Sequence, residues 1–333
     1  MPPPDATRNE HTETTPKPTP TARKPLGRRW WFRILRFFVF FYAAWCGTLY
    51  FYQDKLLFPA DLAGSPLPLK YSATTVELER NVNDGNRQFK VVAWFVPAVE
   101  AGPDRPCPLV VYFHGNAELI DAQHHMINFY HRHGCHVLLP EYRGYGRSGG
   151  KPSEAGILDD AAYFLAEALR RPDVDPARVL YHGRSLGGGP CAGLADRRAP
   201  RAMILESTFT SAASMARKYW APEFLATNPF HVDRVVARLD IPLLLFHGTT
   251  DDIIPVEHGR ALRDLARHGR YIEYACRHND FPGPGEDDYW RQIETFLTET
   301  GLTPSDPTAA TRPTPRATPP IAPPTQPQTP PKP

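Results

Sequence analysis

The chain has 333 residues, of which 38 are Lys or Arg and 36 are Asp or Glu, giving a formal net charge of +2. A charge this close to balance, in a sequence without a nucleic-acid-binding motif, argues against a DNA or RNA partner. The 38 prolines are concentrated toward the two ends of the chain. Residues 1–29 and 303–333 are rich in Pro and Thr and poor in large apolar residues, which predicts disordered tails.

Residues 30–52 form an almost uninterrupted apolar stretch that predicts a transmembrane helix. No charge occurs between Phe37 and Tyr52, and Arg33 and Arg36 can extend their side chains toward the lipid head groups. The whole stretch is then long enough to cross a bilayer, which needs about 20 residues. A helix lying on the membrane surface is the alternative, but the stretch after Arg36 is apolar on every face.

Basic residues around this stretch indicate its orientation. Only Lys55 follows closely, whereas several basic residues precede the uncharged part: Arg23, Lys24, Arg28, Arg29, Arg33 and Arg36. The positive-inside rule then predicts a single-pass membrane protein with a cytoplasmic N-terminus and the remaining domain on the non-cytoplasmic side. Because no small-residue cleavage site follows, an uncleaved signal anchor is favoured over a removed signal peptide.

Residues 53–302 alternate between strand and helix patterns and predict one α/β domain. Two early runs, residues 75–80 and 89–98, flank the turn Asn83-Asp84-Gly85 and predict an antiparallel hairpin at a sheet edge. Residues 153–170, with Ser153 as N-cap, and residues 286–300 predict helices. The later strand runs are continuously apolar, as buried parallel strands are: 108–113, 136–140, 178–181, 202–205, 242–246 and 270–275. We therefore expect a parallel sheet with helices on both faces.

A Gly-x-Ser-x-Gly sequence follows the run 178–181 and suggests a nucleophile. Gly183, Ser185 and Gly187 have the spacing of a nucleophile elbow, in which a strand turns sharply into a helix. The first glycine permits the turn, and the second lets the helix pack close to the strand. Because glycine and serine also make ordinary turns, this motif needs support from the rest of the chain.

A nucleophilic serine needs a base, and the base needs an orienting carboxylate. In hydrolases with this sheet type the chain order is Ser, acid, His. His278, on the loop after the last strand run, is the candidate base. Asp251, after the run 242–246, is the favoured acid, with Asp252 and Glu206 as alternatives.

The remaining histidines are interpreted as structural. His268 precedes the last strand run and so falls at the wrong edge of the sheet, and His182 is expected to be packed. His114 and His247 are expected to brace loops. Four histidines fall on a predicted helix without carboxylates at metal-ligand spacing, so we expect no metal site there: His124, His125, His131 and His133. No cofactor is indicated.

Two backbone amides are candidates for an oxyanion hole, which would stabilise the negative charge of a tetrahedral intermediate. One is the amide of Leu186, directly after the serine and at a helix start. The other is the amide of Asn116, in the loop after the strand run 108–113. Alternatively, His114-Gly115 merely forms a tight strand exit.

Several motifs together resemble the membrane-anchored branch of the α/β-hydrolase superfamily, which includes alpha/beta hydrolase domain-containing serine hydrolases and their bacterial relatives. The resemblance covers roughly residues 45–300 and is carried by these segments: HGNAE (114–118), EYRGYGRSGGKPSE (141–154), GRSLGGGP (183–190), ESTF (206–209), HGTTDDIIPVEHG (247–259) and HND (278–280). It implies an eight-stranded, mostly parallel sheet, with Ser185 as nucleophile, Asp251 as acid and His278 as base. The Pro-rich tails are not part of the family pattern, so their role stays open.

The substrate is less well defined than the chemistry. Residues 212–239 are the only candidate lid, which would be short and consist of two helices. Its large side chains either wall an acyl pocket or pack on the sheet: Met215, Tyr219, Trp220, Phe224, Leu225 and Phe230. We expect a serine hydrolase that cleaves a small acyl ester, a thioester or a lipid through an acyl-enzyme. If the domain lies outside the cytoplasm, it cannot reach palmitoylated cysteines of cytoplasmic proteins, so depalmitoylation of such proteins is disfavoured.

Other functions stay open as alternatives. One is a catalytically silent, hydrolase-like binding or membrane-tethering protein, and another is a serine peptidase, although no large cap domain is present to select peptides. The cysteines do not distinguish these alternatives. Their disulfide state is open, although each fits a small buried apolar residue: Cys107, Cys135, Cys191 and Cys276.

Overall fold

The computed structural model of the protein describes residues 28–67, 71–85 and 87–303. The predicted Pro-rich tails, 1–29 and 303–333, therefore lie outside the described residues except at their inner ends. The described chain divides into two units, one that ends at Leu49 and one that begins at Tyr50.

The first helix, α1 (Arg28–Leu57), contains the apolar stretch and continues beyond Tyr52. Among the described residues, it alone is long and apolar enough to cross a membrane by length and composition. A helix of this kind close to the N-terminus is typical of a membrane anchor or of a signal sequence.

The second unit contains one eight-stranded sheet. Along the chain the strands are β1 (Val76–Asp84), β2 (Arg87–Val96), β3 (Cys107–Phe113), β4 (His136–Pro140), β5 (Val174–Arg184), β6 (Ala202–Glu206), β7 (Leu243–Gly248) and β8 (Gly269–Tyr274). Their spatial order is β1-β2-β4-β3-β5-β6-β7-β8. Among the strand pairs that the structure describes, only β1–β2 and β2–β4 are antiparallel. The expected mostly parallel sheet and its antiparallel edge hairpin are both confirmed.

Helices cover both faces of the sheet, as expected. The remaining helices are α2 (His124–Arg132), α3 (Glu154–Leu169), α4 (Gly188–Arg197), α5 (Val232–Val236), α6 (Val256–Leu265) and α7 (Glu286–Glu299). A hydrophobic core lies on each face of the sheet, and alternate side chains of β3 point into different cores. Leu109 and Val111 pack on the face covered by α3–α6, whereas Val110 and Tyr112 pack on the face covered by α2 and α7. Burial of apolar side chains on both faces explains why the strand sequences are continuously apolar.

Local signals set most of the element boundaries. Ser153 caps α3, because its hydroxyl accepts a hydrogen bond from the Gly156 amide at 3.2 Å. By contrast, β5 begins at Val174, earlier than the predicted start at residue 178. Val174 pairs with Cys107 across an irregularity in the ladder, so strand pairing extends the element through a polar stretch that contains Pro176.

Candidate active site

The predicted elbow lies at the carboxyl end of β5. Ser185 has a φ of 53°, in the left-handed region that non-glycine residues rarely adopt. A Cβ atom on Gly187 would lie 2.1 Å from the Phe113 carbonyl oxygen, and one on Gly183 would lie 2.5 Å from the Gly187 carbonyl oxygen. The two glycines are therefore required by close backbone approach, and they bring the serine turn against the end of β3.

The structure brings Ser185, His278 and Asp251 together. The Nδ1–H of His278 donates to Asp251 Oδ2 at 2.7 Å, and His278 Nε2 lies 2.9 Å from Ser185 Oγ. With the proton on Nδ1, the neutral ring can accept the serine proton at Nε2. All three residues are buried. This arrangement can activate a hydroxyl group as a nucleophile.

The loop after β7 fixes the carboxylate of Asp251. Its Oδ1 accepts hydrogen bonds from the amides of Ile253 at 2.9 Å and Ile254 at 2.7 Å, which leaves Oδ2 for His278. His247 donates from Nε2 to the Ile254 carbonyl at 2.8 Å, so it braces the same loop, as the sequence predicts. Burial lowers the pKa of His247, which keeps this ring neutral at pH 7.

The two alternative acids have other partners. Asp252 is exposed and pairs with Arg277. Glu206 accepts a hydrogen bond from the imidazole of His182 at 2.6 Å. The His278 ring instead donates to Asp251, so the geometry gives no support to either alternative.

Glu206 belongs to a buried polar cluster beneath the elbow that the sequence analysis did not identify. His182 also lies 2.6 Å from the hydroxyl of Tyr130, and the hydroxyl of Tyr289 donates to Glu206. Burial and the Glu206 carboxylate raise the pKa of both tyrosines, which therefore remain protonated donors. A carboxylate at the end of a fully apolar strand was the available signal, because such a group must find buried partners.

The loop that carries Asn116 is held by side chains from a neighbouring loop. The hydroxyls of Tyr142 and Tyr145 donate to the carbonyls of His114 at 2.8 Å and Asn116 at 2.7 Å. His114 is buried, stacks on the Tyr142 ring, and donates from Nδ1 to the Gly115 carbonyl at 2.8 Å. This last bond orients the peptide unit whose N–H belongs to Asn116. The predicted bracing role of His114 agrees with this geometry.

A carboxylate lies on the other side of His114. Glu141 Oε1 is 3.1 Å from His114 Nε2, and both side chains are buried. Burial opposes protonation of the ring, but the contact with Glu141 raises the pKa of His114 overall. The Glu141 carboxylate therefore favours protonation of the His114 ring, and a proton on Nδ1 is what donation to Gly115 requires.

Glu118 connects the Asn116 loop to the elbow. It accepts from the Gly115 amide at 3.1 Å, from Gln123 at 3.0 Å and from the guanidinium of Arg184. Although burial opposes its ionisation, Arg184 lowers the pKa of the Glu118 carboxyl below its ordinary value. Both residues fall within segments quoted for the family resemblance, but sequence alone gave no sign that they pair.

The large side chains of the candidate lid divide into those that pack on the sheet, as one expectation had it, and those that fit neither expectation. Residues 212–239 contain two short turns of 3₁₀ helix, Ala213–Tyr219 and Glu223–Leu225, followed by α5. Phe230 is buried and packs on the sheet side, against Phe58. Trp220 and Phe224, however, are each 84% exposed, so these two side chains neither wall a closed pocket nor pack on the sheet.

The histidines of α2 and the cysteines have ordinary structural positions. Within residues 28–67, 71–85 and 87–303, no group of three or more His, Cys, Asp or Glu side chains could hold a metal ion. On α2, His124 and His125 are exposed, and His131 donates to the Pro97 carbonyl at 2.8 Å. All five cysteines are free, and the four in the sheet domain are buried.

Comparison with known proteins identifies the family of this fold. A family model described as "alpha/beta hydrolase fold" matches residues 108–238. YfhR of Escherichia coli K12, an uncharacterised protein, is 32% identical over 265 residues, which is 73% of this chain and 89% of that protein. The chain belongs to the alpha/beta hydrolase family. Alpha/beta hydrolase domain-containing protein WAV2 of Arabidopsis thaliana is 28% identical over 274 residues, or 74% of this chain and 87% of WAV2.

A solved structure with the same fold is that of an esterase. Esterase 2 of Thermogutta terrifontis aligns with a TM-score of 0.56 over 74% of this chain and 100% of its own, at 15% identity. At that identity the likeness shows the fold alone. Membership of the alpha/beta hydrolase family supports hydrolase activity in this chain.

Proposed function

We propose that the protein is a serine hydrolase that cleaves carboxylic ester or thioester bonds through an acyl-enzyme intermediate. The single observation that carries this proposal is the position of His278, whose two ring nitrogens reach Ser185 Oγ at 2.9 Å and Asp251 Oδ2 at 2.7 Å. The left-handed backbone of Ser185 supports it, because strained backbone is typical of catalytic residues.

In this mechanism Ser185 Oγ attacks the substrate carbonyl while His278 Nε2 takes the hydroxyl proton. The tetrahedral intermediate collapses when His278 returns that proton to the leaving alcohol or thiol, and the acyl group stays on Ser185. A water molecule then attacks the acyl-enzyme, again losing its proton to His278. This attack forms a second tetrahedral intermediate. When it collapses, His278 returns the proton to Ser185 Oγ and the acid is released. Asp251 stabilises the imidazolium in both halves and keeps the ring oriented.

The oxyanion would be stabilised by the amides of Leu186 and Asn116. Support for Leu186 is its place in the turn Ser185–Gly187, directly before α4. Support for Asn116 is the hydrogen bond from His114 to the Gly115 carbonyl, which orients the Asn116 N–H, and the close approach of Gly187 to the end of β3.

We further infer a small acyl ester, thioester or lipid as the substrate, and no cofactor. The short connection 212–239 supports this class, because it provides no cap domain of the kind that selects peptides.

For the location, we propose that residues 30–52 are a single-pass signal anchor, with the domain 53–302 on the non-cytoplasmic side and disordered tails at 1–29 and 303–333. The length and apolar composition of α1 and the basic residues before it support this arrangement.

Labelling with a fluorophosphonate probe tests the nucleophile directly. The full chain in detergent, Ser185→Ala and the control Ser72→Ala should be compared at equal concentration. We expect wild type and Ser72→Ala to be labelled and Ser185→Ala to stay unlabelled. Absence of labelling in folded wild type would overturn the proposal and favour a hydrolase-like binding protein. Paired ester and thioester substrates of increasing acyl length would then define the specificity.

Protease protection tests the location separately. An epitope after residue 303 should be protected in sealed inside-out vesicles and digested in intact cells stripped of their outer wall. The reverse pattern would overturn the proposed side, and release of the epitope into the soluble fraction would indicate a cleaved signal sequence.

A further inference from the structure

The domain that begins at Tyr50 exposes several large apolar side chains near its start. On the last turns of α1, Phe51 is 81% exposed, and Tyr52 and Leu56 are also exposed. In the connection after β6, Trp220 and Phe224 are each 84% exposed. Isolated exposed apolar residues are common, but a group of large aromatic ones indicates a binding surface.

Hydrogen bonds link these two groups within the domain. The side-chain amide of Gln53 donates to the Leu225 carbonyl at 3.2 Å and accepts from the Thr227 amide at 2.9 Å. Asp54 accepts from the side-chain amide of Asn228 at 2.9 Å. The segment that follows Phe224 is thus held against the end of α1. We call Phe51, Tyr52, Leu56, Trp220 and Phe224 the aromatic surface.

Basic side chains accompany the aromatic surface. Lys55 is exposed on α1, and Arg217 and Lys218 lie three and two residues before Trp220 in the chain. Arg217 is 80% exposed while it pairs with Glu223. Aromatic rings next to Lys and Arg are the combination found where proteins meet the head-group region of a bilayer.

The same segment reaches the loop of the candidate acid. The ammonium group of Lys218 lies 3.4 Å from the carbonyls of Asp252 and Ile253, which follow Asp251. Because the connection leaves the carboxyl end of β6, it lies at the sheet edge that carries Ser185. A surface that binds lipid here would hold the active-site edge close to the bilayer.

We propose that the aromatic surface is a lipid-docking surface, and that its occupant is the phospholipid interface of the membrane in which α1 is anchored. Trp220 and Phe224 would enter the head-group region while Arg217 and Lys218 contact lipid phosphates. Phe51 and Tyr52 belong to the apolar stretch 30–52 itself, and this continuity along the chain selects a membrane over a protein partner. This proposal rests on the proposed anchor and is independent of the proposed ester chemistry.

Quenching of a site-specific fluorophore by lipids tests the docking. The full chain with Cys46→Ser retains only buried cysteines, so a single NBD group can be attached through Phe224→Cys. The protein is reconstituted into vesicles of phosphatidylcholine and phosphatidylglycerol, with and without doxyl groups on the acyl chains. Two matched positions serve as controls. Phe40→Cys, in the middle of the apolar stretch, reports insertion of α1 itself. Val99→Cys, 78% exposed in the loop after β2, lies at the opposite edge of the sheet.

We expect doxyl lipids to quench the probes at positions 40 and 224 at least about threefold more than the probe at position 99. Strong quenching at position 40, with position 224 no different from position 99, would overturn the docking surface while leaving the anchor intact. Weak quenching at all three positions would overturn both the anchor and the docking surface. Neither result depends on turnover, so failure of the ester chemistry would be recognised separately by the fluorophosphonate experiment.

Discussion

Arg184, inside the elbow, donates a hydrogen bond to Glu118, which in turn accepts from the backbone amide of Gly115. This pair joins the turn that carries Ser185 to the loop that carries Asn116. The two segments lie far apart in the chain, and the Glu118 carboxylate connects them. Their relative position would decide how well the two backbone amides stabilise an oxyanion. The pair also makes the stability of this region depend on pH.

Replacing Glu118 with Gln should remove part of the acid sensitivity of folding. In the folded protein Arg184 lowers the Glu118 pKa below its ordinary value of 4.5, so the carboxylate stabilises the fold above that value. This stabilisation is lost as the pH falls through the lower, folded-state pKa. Thermal unfolding in detergent between pH 6 and pH 3 should therefore show a smaller loss of midpoint temperature for Glu118→Gln than for wild type. Glu79→Gln, in an exposed pair with Lys90, should follow the wild-type profile.

Asp251→Asn should lower kcat by roughly a thousand- to ten-thousand-fold, because an amide cannot hold His278 in the required tautomer or stabilise the imidazolium. Ester hydrolysis at saturating substrate measures this loss. Asp252→Asn, one residue away and exposed, should retain kcat within about twofold of wild type. Equal losses in both variants would contradict the assignment of Asp251.

Tyr145→Phe should reduce kcat without a matching change in KM. Its hydroxyl donates to the Asn116 carbonyl at 2.7 Å, and loss of such a bond costs about 1 kcal/mol, or roughly a fivefold change in rate. Steady-state kinetics with a short-chain ester would separate the two constants. Tyr163→Phe, on an exposed part of α3, is the control, and a rise in KM alone would argue against a role in positioning the loop.

Gly187→Ala should destabilise the domain strongly. The new Cβ atom would lie 2.1 Å from the Phe113 carbonyl oxygen and 2.8 Å from that of His114, so α4 and β3 must separate. Overpacking against backbone of this severity costs about 3 kcal/mol or more. Thermal unfolding measures the effect, and Gly102→Ala, which has open space around it, should unfold close to the wild-type temperature.

The sequence predicted the parts of the fold that depend on local pattern. Continuous apolar runs identified the strands from β3 to β7, and Ser153 identified the start of α3, because burial on two faces and helix capping leave direct traces in the chain. The motif order of Ser185, Asp251 and His278 likewise led to three residues that the fold brings into contact. The boundaries were less accurate where pairing, rather than composition, extends a strand, as at Val174.

What the sequence could not reveal are contacts between side chains from separate loops. The bonds of Tyr142 and Tyr145 to the Asn116 loop require two loops to pack together, and nothing in their own segments encodes that packing. Glu206 fitted the role of an acid by position alone, yet the fold directs it to His182 and Tyr289. Trp220 and Phe224 were expected to wall a pocket or to pack on the sheet, and both are exposed instead.

The left-handed backbone at Ser185 implies a conflict between folding and turnover at one position. A serine held at a φ of 53° costs about 1–3 kcal/mol that a glycine would avoid. Selection for thermal stability alone would therefore favour Ser185→Gly, which relaxes the turn and removes the nucleophile. The elbow is thus a site where a more stable protein is expected to be an inactive one.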